Sequence, residues 1–254
     1  MTQRRRDAIV KLLKGIETGD PASVAVVNEA QYIQHNPQTA EGNVGLAELF
    51  KRISKSNPRV NIVRIFSDGD FVFGHTEYDF STRRIGFEVF RFEEDQAVEH
   101  WDNIQIRLGP NISGHSMVNG PVQPEDLEMT EENRATVTRF AEDVLIACDW
   151  SSLPLFIDSG NFTQHNPQMA DGRKALLDRM TNGNSEGDKI VYKKMHRILA
   201  QGNFVLTVCE GWVGENHTSF YDLYRLENGK LVEHWDTVEA VPPKSQWKNH
   251  NGKF

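Results

Sequence analysis

The chain of 254 residues is 38% hydrophobic, 25% charged and 9% aromatic, which is the composition of a globular protein and not of a disordered one. Its formal net charge of −8 leaves no surplus of lysine and arginine to neutralise phosphates, so a nucleic-acid partner is not expected. No stretch approaches the roughly 18 consecutive apolar residues of a membrane span, and the basic N-terminus lacks the apolar run of a signal peptide. We therefore expect a cytoplasmic protein with no membrane partner.

The first half of the chain shows helical patterns and then strand patterns. Apolar residues at helical spacing predict helices over Arg6–Glu17 and Gly42–Ile53. Alternating residues and turn signals then predict four successive strands, over Val60–Phe66, Phe71–Tyr78, Ile85–Phe92 and Ala97–Ile106.

A segment rich in proline and glycine, Gly109–Asp126, separates this half from a second one. The second half follows the same order. Helices are predicted over Thr130–Asp149 and Arg173–Met180, and the strands that follow include a hairpin signal at Asn228–Gly229. The tail Val241–Phe254 resembles the separating segment in place and composition.

The second half also repeats the motifs of the first. Gln-His-Asn-Pro stands at residues 34–37 and 164–167, and Glu-His-Trp-Asp at residues 99–102 and 233–236. Shorter matches lie between them in the same order, which indicates a tandem duplication. We predict two domains, over residues 1–112 and 130–254, joined by a linker over residues 113–129.

Each copy places helices before a meander of antiparallel strands, which is typical of the α+β class. We predict in each domain a curved, mostly antiparallel sheet packed on helices. Such a sheet encloses a cone-shaped cavity, and the expected partner is therefore a small-molecule substrate.

The repeated histidine and aspartate of the late strand are the first candidates for chemistry. Successive strand residues point to opposite faces, so His100 and Asp102 share one face while Trp101 points to the other. His234 and Asp236 repeat this arrangement. Burial on an apolar face would raise the pKa of the aspartate towards a value useful for proton transfer. The alternative is structural, with both side chains bonding loop or helix ends.

A further histidine in each copy, His35 or His165, stands shortly before a proline. The Asn-Pro turn would direct this imidazole over the cavity, or the turn residues would only cap backbone groups. We favour the capping interpretation for Asn36 and Asn166. Both interpretations stay open for the two histidines.

Two acids occupy equivalent strand positions, Glu88 and Asp222. Solvation is the usual state of such acids, but an inward one would be a partner for the aspartate of its copy. A transition metal must also be weighed, because His35, His100 and Asp102 form a set of two histidines and a carboxylate. Their spacing does not force them to converge and the two cysteines add no metal motif, so neither a metal nor another cofactor is expected.

The stretches Tyr32–Gly42 and Phe162–Gly172, together with the two Glu-His-Trp-Asp motifs, resemble the SnoaL-like polyketide cyclase family of the NTF2-like superfamily. The resemblance covers nearly the whole chain twice and extends to its ending, Asn251–Phe254. It implies two cone-shaped NTF2-like domains and cofactor-free acid–base chemistry of the aldol type on a carbonyl compound. In that family an aspartate on a late strand shuttles the proton, which here falls on Asp102 and Asp236.

The catalytic candidates are the aspartate and the two histidines of each copy: Asp102, His100, His35, Asp236, His234 and His165. Substrate contacts are expected from the polar and aromatic residues of the motifs and their neighbours: Gln34, Trp101, Glu88, His75, Gln164, Trp235 and Asp222.

The tandem arrangement departs from the single-domain members of the family, which pair as homodimers. It predicts an intramolecular pseudo-dimer of the two domains, with further homo-oligomerisation left open. The copies differ near the motifs, because His75 is answered by Val208 and Tyr78 by Gly211. We therefore expect cavities of different polarity. The protein needs catalytic activity in only one of them.

The leading interpretation is a cofactor-independent lyase or isomerase whose Asp102 or Asp236 removes a proton α to a carbonyl group. Two alternatives stand beside it: a small-molecule-binding module without catalysis, and a hydrolase that activates water to open an epoxide.

Overall fold

The computed structural model describes residues 2–183 and 188–254 and divides the chain into two compact units. Unit 1 comprises the residues up to Arg107 together with Pro242–Phe254, and unit 2 comprises Leu108–Val241. Each unit holds a five-stranded sheet and helices, so the predicted α+β class with two domains is confirmed. None of the helices in the described residues combines the length and apolar character that a membrane crossing requires.

Unit 1 begins with its helices and continues with its strands. The elements are α1 (Thr2–Thr18), β1 (Ile33–Gln34), α2 (Gly42–Ile53), β2 (Arg59–Asp68), β3 (Phe71–Asp79), β4 (Arg83–Glu93) and β5 (Gln96–Ile106). The strand order in the sheet is β1-β5-β4-β3-β2, with β1 parallel to β5 and the other neighbours antiparallel.

One face of this sheet carries the helices. Ile9 of α1 and Phe50 of α2 are buried with Val72, Phe90 and Phe92 of the strands in one apolar cluster. The cluster forms because each strand alternates and presents its apolar residues to the apolar stripes of the two helices. We call this side the helix-facing side of the sheet.

Unit 2 repeats this order with an additional short helix. Its elements are α3 (Thr130–Arg139), α4 (Leu153–Phe156), β6 (Thr163–Gln164), α5 (Arg173–Asn182), β7 (Ile190–Gln201), β8 (Phe204–Val213), β9 (Asn216–Glu227) and β10 (Lys230–Ala240). The strand order is β6-β10-β9-β8-β7, and β6 is parallel to β10. Phe140, Leu176 and Tyr224 belong to the buried cluster between the helices and the sheet.

The structure refines one of the predicted elements and adds two short strands. The helix predicted over Thr130–Asp149 changes to a π-helix over Phe140–Ile146, and Cys148 has a left-handed φ of 59° that ends it. The two-residue strands β1 and β6 were not predicted, because two residues carry no periodicity. They nevertheless matter, since they pair Gln34 with His100 and Gln164 with His234.

The domain boundaries also differ from those expected from the sequence. The segment expected to form a linker belongs to unit 2, where Asn111 Nδ2 donates to the backbone oxygen of Gln164 at 2.6 Å. The tail Pro242–Phe254 belongs to unit 1, where Asn249 Nδ2 donates to the backbone oxygen of Asn36 at 2.7 Å. Polar side chains in each segment thus satisfy carbonyl groups of a Gln-His-Asn-Pro turn.

The segment that follows each sheet in the chain therefore completes the other unit. We call these two stretches, residues 108–126 and 242–254, the exchanged segments. The predicted pairing of the two copies as an intramolecular dimer stays a prediction.

Candidate active site

An acid, a histidine and an aspartate lie together on the helix-facing side of each sheet. In unit 1 they are Glu88 of β4 with His100 and Asp102 of β5, and all three are buried. The ring of His100 stacks on Phe90 of the apolar cluster at 4.4 Å between centroids. The prediction that the histidine and the aspartate share one face is borne out by these positions.

Unit 2 contains the equivalent group. Asp222 of β9 lies beside His234 and Asp236 of β10, again buried. The ring of His234 stacks on Tyr224 at 4.8 Å. Glu88 and Asp222, for which solvation seemed the usual state, are thus inward acids.

Gln34 determines that the Nδ1 atom of His100 carries a hydrogen. Its Oε1 accepts from the backbone N–H of Asn36 at 2.8 Å, which sets the orientation of the amide. The same oxygen lies 2.9 Å from His100 Nδ1, so Nδ1 must donate to it. The other ring nitrogen, Nε2, lies 2.7 Å from Glu88 Oε2. One proton is therefore held between this nitrogen and this carboxyl group.

The same network recurs in unit 2. Gln164 Oε1 accepts from the backbone N–H of Asn166 at 2.9 Å and lies 2.9 Å from His234 Nδ1. His234 Nε2 lies 3.0 Å from Asp222 Oδ1. Gln34 and Gln164, expected to contact substrate, hold the histidine instead.

The asparagine of each Gln-His-Asn-Pro turn does two things. Asn36 Oδ1 accepts from the backbone N–H of Gln38 at 2.8 Å, which is the predicted capping role. Its Nδ2 donates to Asp102 Oδ2 at 2.6 Å. Asn166 likewise donates from Nδ2 to Asp236 Oδ2 at 2.6 Å. The turn therefore fixes one oxygen of each aspartate.

A tyrosine hydroxyl reaches the inward acid in both units, but from different strands. Tyr78 of β3 donates to Glu88 Oε1 at 2.5 Å, and Tyr192 of β7 donates to Asp222 at 3.1 Å. Burial, followed by the charge of the neighbouring acid, raises the pKa of both tyrosines well above the ordinary value, so both stay protonated.

Burial also raises the pKa of two of the acids. It raises the pKa of Glu88, although the bond to His100 opposes the shift. It likewise raises the pKa of Asp236, with the charge of His234 opposing and that of Asp222 adding to the effect. An aspartate with a raised pKa is a stronger base than an ordinary one.

The two aspartates differ in what faces their second oxygen. In unit 1, Lys253 of the exchanged segment is buried, and its Nζ lies 2.8 Å from the backbone oxygen and 3.4 Å from Oδ1 of Asp102. In unit 2, Asp236 Oδ1 is buried and has no hydrogen-bond partner among the described residues.

The exchanged segments explain this difference. His35 Nδ1 donates to the backbone oxygen of Gly252 at 2.9 Å, and His165 Nδ1 donates to that of Ser116 at 2.7 Å. Gly252 and Ser116 therefore correspond. The next residue is Lys253 in one segment and Met117 in the other, and methionine offers no cation to an aspartate.

His35 and His165, predicted to be catalytic, lie on the other side of the sheet from the aspartates. Each directly follows the glutamine of a two-residue strand, so alternation turns it away from the site. His35 Nε2 pairs with Glu99 Oε1 at 2.9 Å, and His165 Nε2 pairs with Glu233 Oε1 at 2.8 Å. With their bonds to the exchanged segments, these contacts engage both ring nitrogens of each histidine away from the aspartates.

Three predicted substrate contacts also face away from the aspartates. Trp101 stacks on His35 with 4.7 Å between ring centroids, and Trp235 stacks on His165 with 4.6 Å. His75 stacks on Phe87, which alternates with the inward acid of β4. These rings fix the outer side of their strands and do not line the site.

The metal set considered for His35, His100 and Asp102 does not form, because His35 is on the other face. Instead, Glu88, His100 and Asp102 place ligand atoms within 4.8 Å of one another, and so do Asp222, His234 and Asp236. Among the described residues, these are the two groups of side chains whose ligand atoms are close enough together to hold a metal ion. In both, the histidine Nε2 and the inward acid already share a hydrogen bond.

Sequence reasoning missed Lys253 and the two tyrosines as parts of the site. Comparison of the copies could have suggested a second role for Asn36 and Asn166, since both copies keep them. It could not find Tyr78 and Tyr192, because they stand at different positions of the repeat.

Comparison with known proteins gives matches among solved structures. No protein-family model matches the chain, and no curated protein matches its sequence. IdmH of Streptomyces antibioticus, provisionally named a polyketide cyclase, is 16% identical with a TM-score of 0.35, over 40% of this chain and 91% of its own.

Two further structures match to a similar extent. An LEH-like epoxide hydrolase of M. tuberculosis is 19% identical with a TM-score of 0.36, over 41% of this chain and 84% of its own. An NTF2-like protein of unknown function from Mesorhizobium loti is 20% identical with a TM-score of 0.36, over 46% of this chain and 98% of its own. Each of these three structures matches less than half of this chain.

Proposed function

We propose that the protein is an acid–base enzyme that moves a proton on a small carbonyl compound, and that Asp236 of unit 2 is its base. The observation that carries the proposal is the state of this carboxylate. Asn166 holds one of its oxygens, the other has no partner among the described residues, and burial raises the pKa of the group. Such a carboxylate is oriented, has one oxygen that no other described group bonds, and is more basic than usual.

The chemistry requires only transfer of one proton out and back. Asp236 Oδ1 takes a proton from the carbon next to the carbonyl, and the electron pair of the C–H bond moves into the enolate. The neutral carboxylic acid then returns the proton to carbon or oxygen, which completes an isomerisation or the closure of a ring. No electron is gained or lost, so the residues described suffice for the step.

His234 and Asp222 support this step without touching the substrate. The proton between them keeps the imidazole in place, and the nearby acid raises the pKa of Asp236. Tyr192 donates to Asp222 and so helps to hold its carboxylate in place. These are positioning residues in the proposed mechanism.

Unit 1 is the weaker candidate because Asp102 already has a buried cation beside it. Lys253 satisfies the oxygen that corresponds to the open one in unit 2. An oxygen that already faces a buried ammonium group is not open to take a proton from a substrate. We therefore assign the proposed reaction to unit 2.

The experiment is exchange of α protons for deuterium in hexan-2-one and in levulinate (4-oxopentanoate), followed by proton NMR in D2O. We expect exchange above the buffer background, lost in Asp236→Asn. The matched control is the double variant Asp102→Asn/Lys253→Met, which removes the ion pair of unit 1 and should keep the exchange. No exchange in the wild type, or equal exchange in Asp236→Asn, would contradict the proposal.

The same open oxygen also supports a second function, activation of water for opening an epoxide. Incorporation of oxygen-18 from labelled water into a diol product would favour this reaction over proton transfer at carbon. Saturable binding of carbonyl compounds with no exchange would instead indicate a binding module. Native mass spectrometry separates a further possibility. A stoichiometric metal in the purified protein would indicate a metal site, with Asp222, His234 and Asp236 as the ligands.

A further inference from the structure

A second group in unit 2 has polar atoms without a partner, and it lies near Asp236. Arg179 of α5 donates from Nη2 to Gln168 Oε1 at 2.8 Å. Its Nε and Nη1 are buried and have no hydrogen-bond partner among the described residues. Burial lowers the pKa of this guanidinium, and Asp236 is the strongest of the negative charges that oppose the shift.

Two complementary groups whose charges interact therefore each keep polar atoms without a hydrogen-bond partner among the described residues. Arg179 offers three N–H bonds on two atoms, and Asp236 offers one acceptor oxygen. Leaving a buried charged donor unpaired is costly, and such groups in a native protein call for an explanation. They do not bond each other, although their charges interact.

Unit 1 shows that this cation is not a requirement of the fold. Gly42 and Gly172 stand at the same place in the repeat, so Arg179 corresponds to Leu49 of α2. Leu49 packs against the apolar cluster of unit 1. Unit 1 instead receives its cation from Lys253, which contacts the aspartate directly. Of these two cations, Arg179 is the one with buried donors that no described residue accepts.

We propose that Arg179 binds an oxyanion of the substrate, so that unit 2 takes a carbonyl compound that carries a carboxylate or forms a stabilised enolate. The inference rests on the proposed function and names its substrate class. Arg179 holds the negative oxygen by charge-assisted hydrogen bonds, and the acidic C–H then faces Asp236 Oδ1. When the proton moves to Asp236, the electron pair moves to the oxygen that faces the guanidinium.

The position of the arginine adds to this argument. A guanidinium is planar and permanently charged, and it binds carboxylate and enolate oxygens better than a point charge does. Arg179 stands on α5 and the base stands on β10, and the charges of the two groups interact. A ligand between the two would touch a donor on one side and an acceptor on the other. That is the arrangement needed to bind an anion and deprotonate it at carbon.

The test compares the binding of three probes by ligand-observed NMR. Levulinate carries a carboxylate, pentane-2,4-dione forms an enolate without one, and hexan-2-one is a neutral ketone of the length of levulinate. The variants are Arg179→Met and, as a matched control on the exposed side of the same helix, Lys174→Met. We expect Arg179→Met to weaken binding of at least one anionic probe about tenfold or more, the scale of a hydrogen bond to a charged group. Hexan-2-one binding and the control variant should be unaffected.

The pattern of loss identifies the source of the oxyanion. An effect on levulinate alone assigns a carboxylate, and an effect on pentane-2,4-dione alone assigns an enolate. If Arg179→Met binds every probe as the wild type does, or if the wild type binds neither anionic probe, the inference is overturned.

The same experiment separates this inference from the proposed function. Asp236→Asn removes a negative charge next to the anion, so it should keep or strengthen levulinate binding while it abolishes deuterium exchange. Unchanged exchange in Asp236→Asn counts against the proposed function alone. Unchanged binding in Arg179→Met counts against the inference alone.

Discussion

The ammonium group of Lys253 lies 2.8 Å from the backbone oxygen of Asp102 and 3.4 Å from its Oδ1, with both side chains buried. The two residues are far apart in the chain, and the pair joins the last strand of unit 1 to the exchanged segment. Removing one member of a buried pair leaves the other charge without compensation. The stability of unit 1 should therefore depend on both.

We predict that Asp102→Asn lowers the free energy of unfolding by about 3 kcal/mol, because the ammonium of Lys253 would remain buried without its counter-charge. Chemical denaturation at neutral pH measures the change. The double variant Asp102→Asn/Lys253→Met should recover most of the loss, since it removes both charges. A double variant no more stable than the single one would show that the two residues do not act as a pair.

The corresponding variant in unit 2, Asp236→Asn, should change the free energy of unfolding in the opposite direction. Burial raises the pKa of Asp236, so the folded protein disfavours the charged carboxylate. We expect Asp236→Asn to raise the free energy of unfolding by about 0.5–2 kcal/mol at pH 7, as is common when an active-site group is replaced.

The gain in stability from Asp236→Asn should depend on pH. The unfolded chain ionises Asp236 above a pH of about 4, whereas the folded chain does so only at a higher pH. The wild type therefore loses stability as the pH rises between these two values, and the variant does not. Denaturation curves of both proteins between pH 4 and pH 8 should diverge with rising pH. Curves that stay parallel would mean that Asp236 is not buried in its charged state.

Glu233 should behave in the reverse way. Its bonds to His165 and Arg225 overcome its burial and lower its pKa. A carboxylate with a lowered pKa contributes stability above the unfolded pKa of about 4.3, and that contribution is lost as the pH falls through the folded value. Glu233→Gln should cost about 2 kcal/mol at pH 7 and progressively less below pH 4.

A matched control for this variant exists on the same arginine. Glu227 also pairs with Arg225, but its side chain is half exposed. Glu227→Gln should change the unfolding free energy by less than about 0.5 kcal/mol. Equal losses in the two variants would refute the special role of Glu233.

Asn249 tests the attachment of the tail to unit 1. Its Nδ2 donates to the backbone oxygens of Asn36 at 2.7 Å and Thr39 at 3.0 Å. Asn249→Ala should cost about 2 kcal/mol because two carbonyl groups lose their donor, while alanine at the exposed neighbour His250 should have little effect. Hydrogen exchange of the Asn36–Thr39 turn should rise in the first variant only. Unchanged exchange would place the anchor of the tail elsewhere.

Much of the site followed from strand alternation. His100 with Asp102, and His234 with Asp236, could be placed on one face because each pair is two residues apart in a clear strand. The same rule would have excluded His35, but the strand that it follows has only two residues and leaves no pattern to recognise.

The remaining residues could not have been found by comparing the copies. Tyr78 and Tyr192 reach equivalent acids from strands β3 and β7, which are not equivalent in the repeat. Lys253 reaches Asp102 from a segment that follows the second sheet in the chain. Such contacts between distant parts of the sequence depend on tertiary structure, which periodicity does not encode.

The exchange of segments also sets an order of completion during synthesis. Unit 2 is continuous in sequence, so all its residues emerge from the ribosome before the tail does. Unit 1 must wait for residues 242–254, although its sheet is synthesised first. Until Lys253 arrives, Asp102 has no buried ammonium beside it, and unit 1 stays open while unit 2 is already able to fold. The nascent chain should therefore gain protease resistance in unit 2 before it does in unit 1.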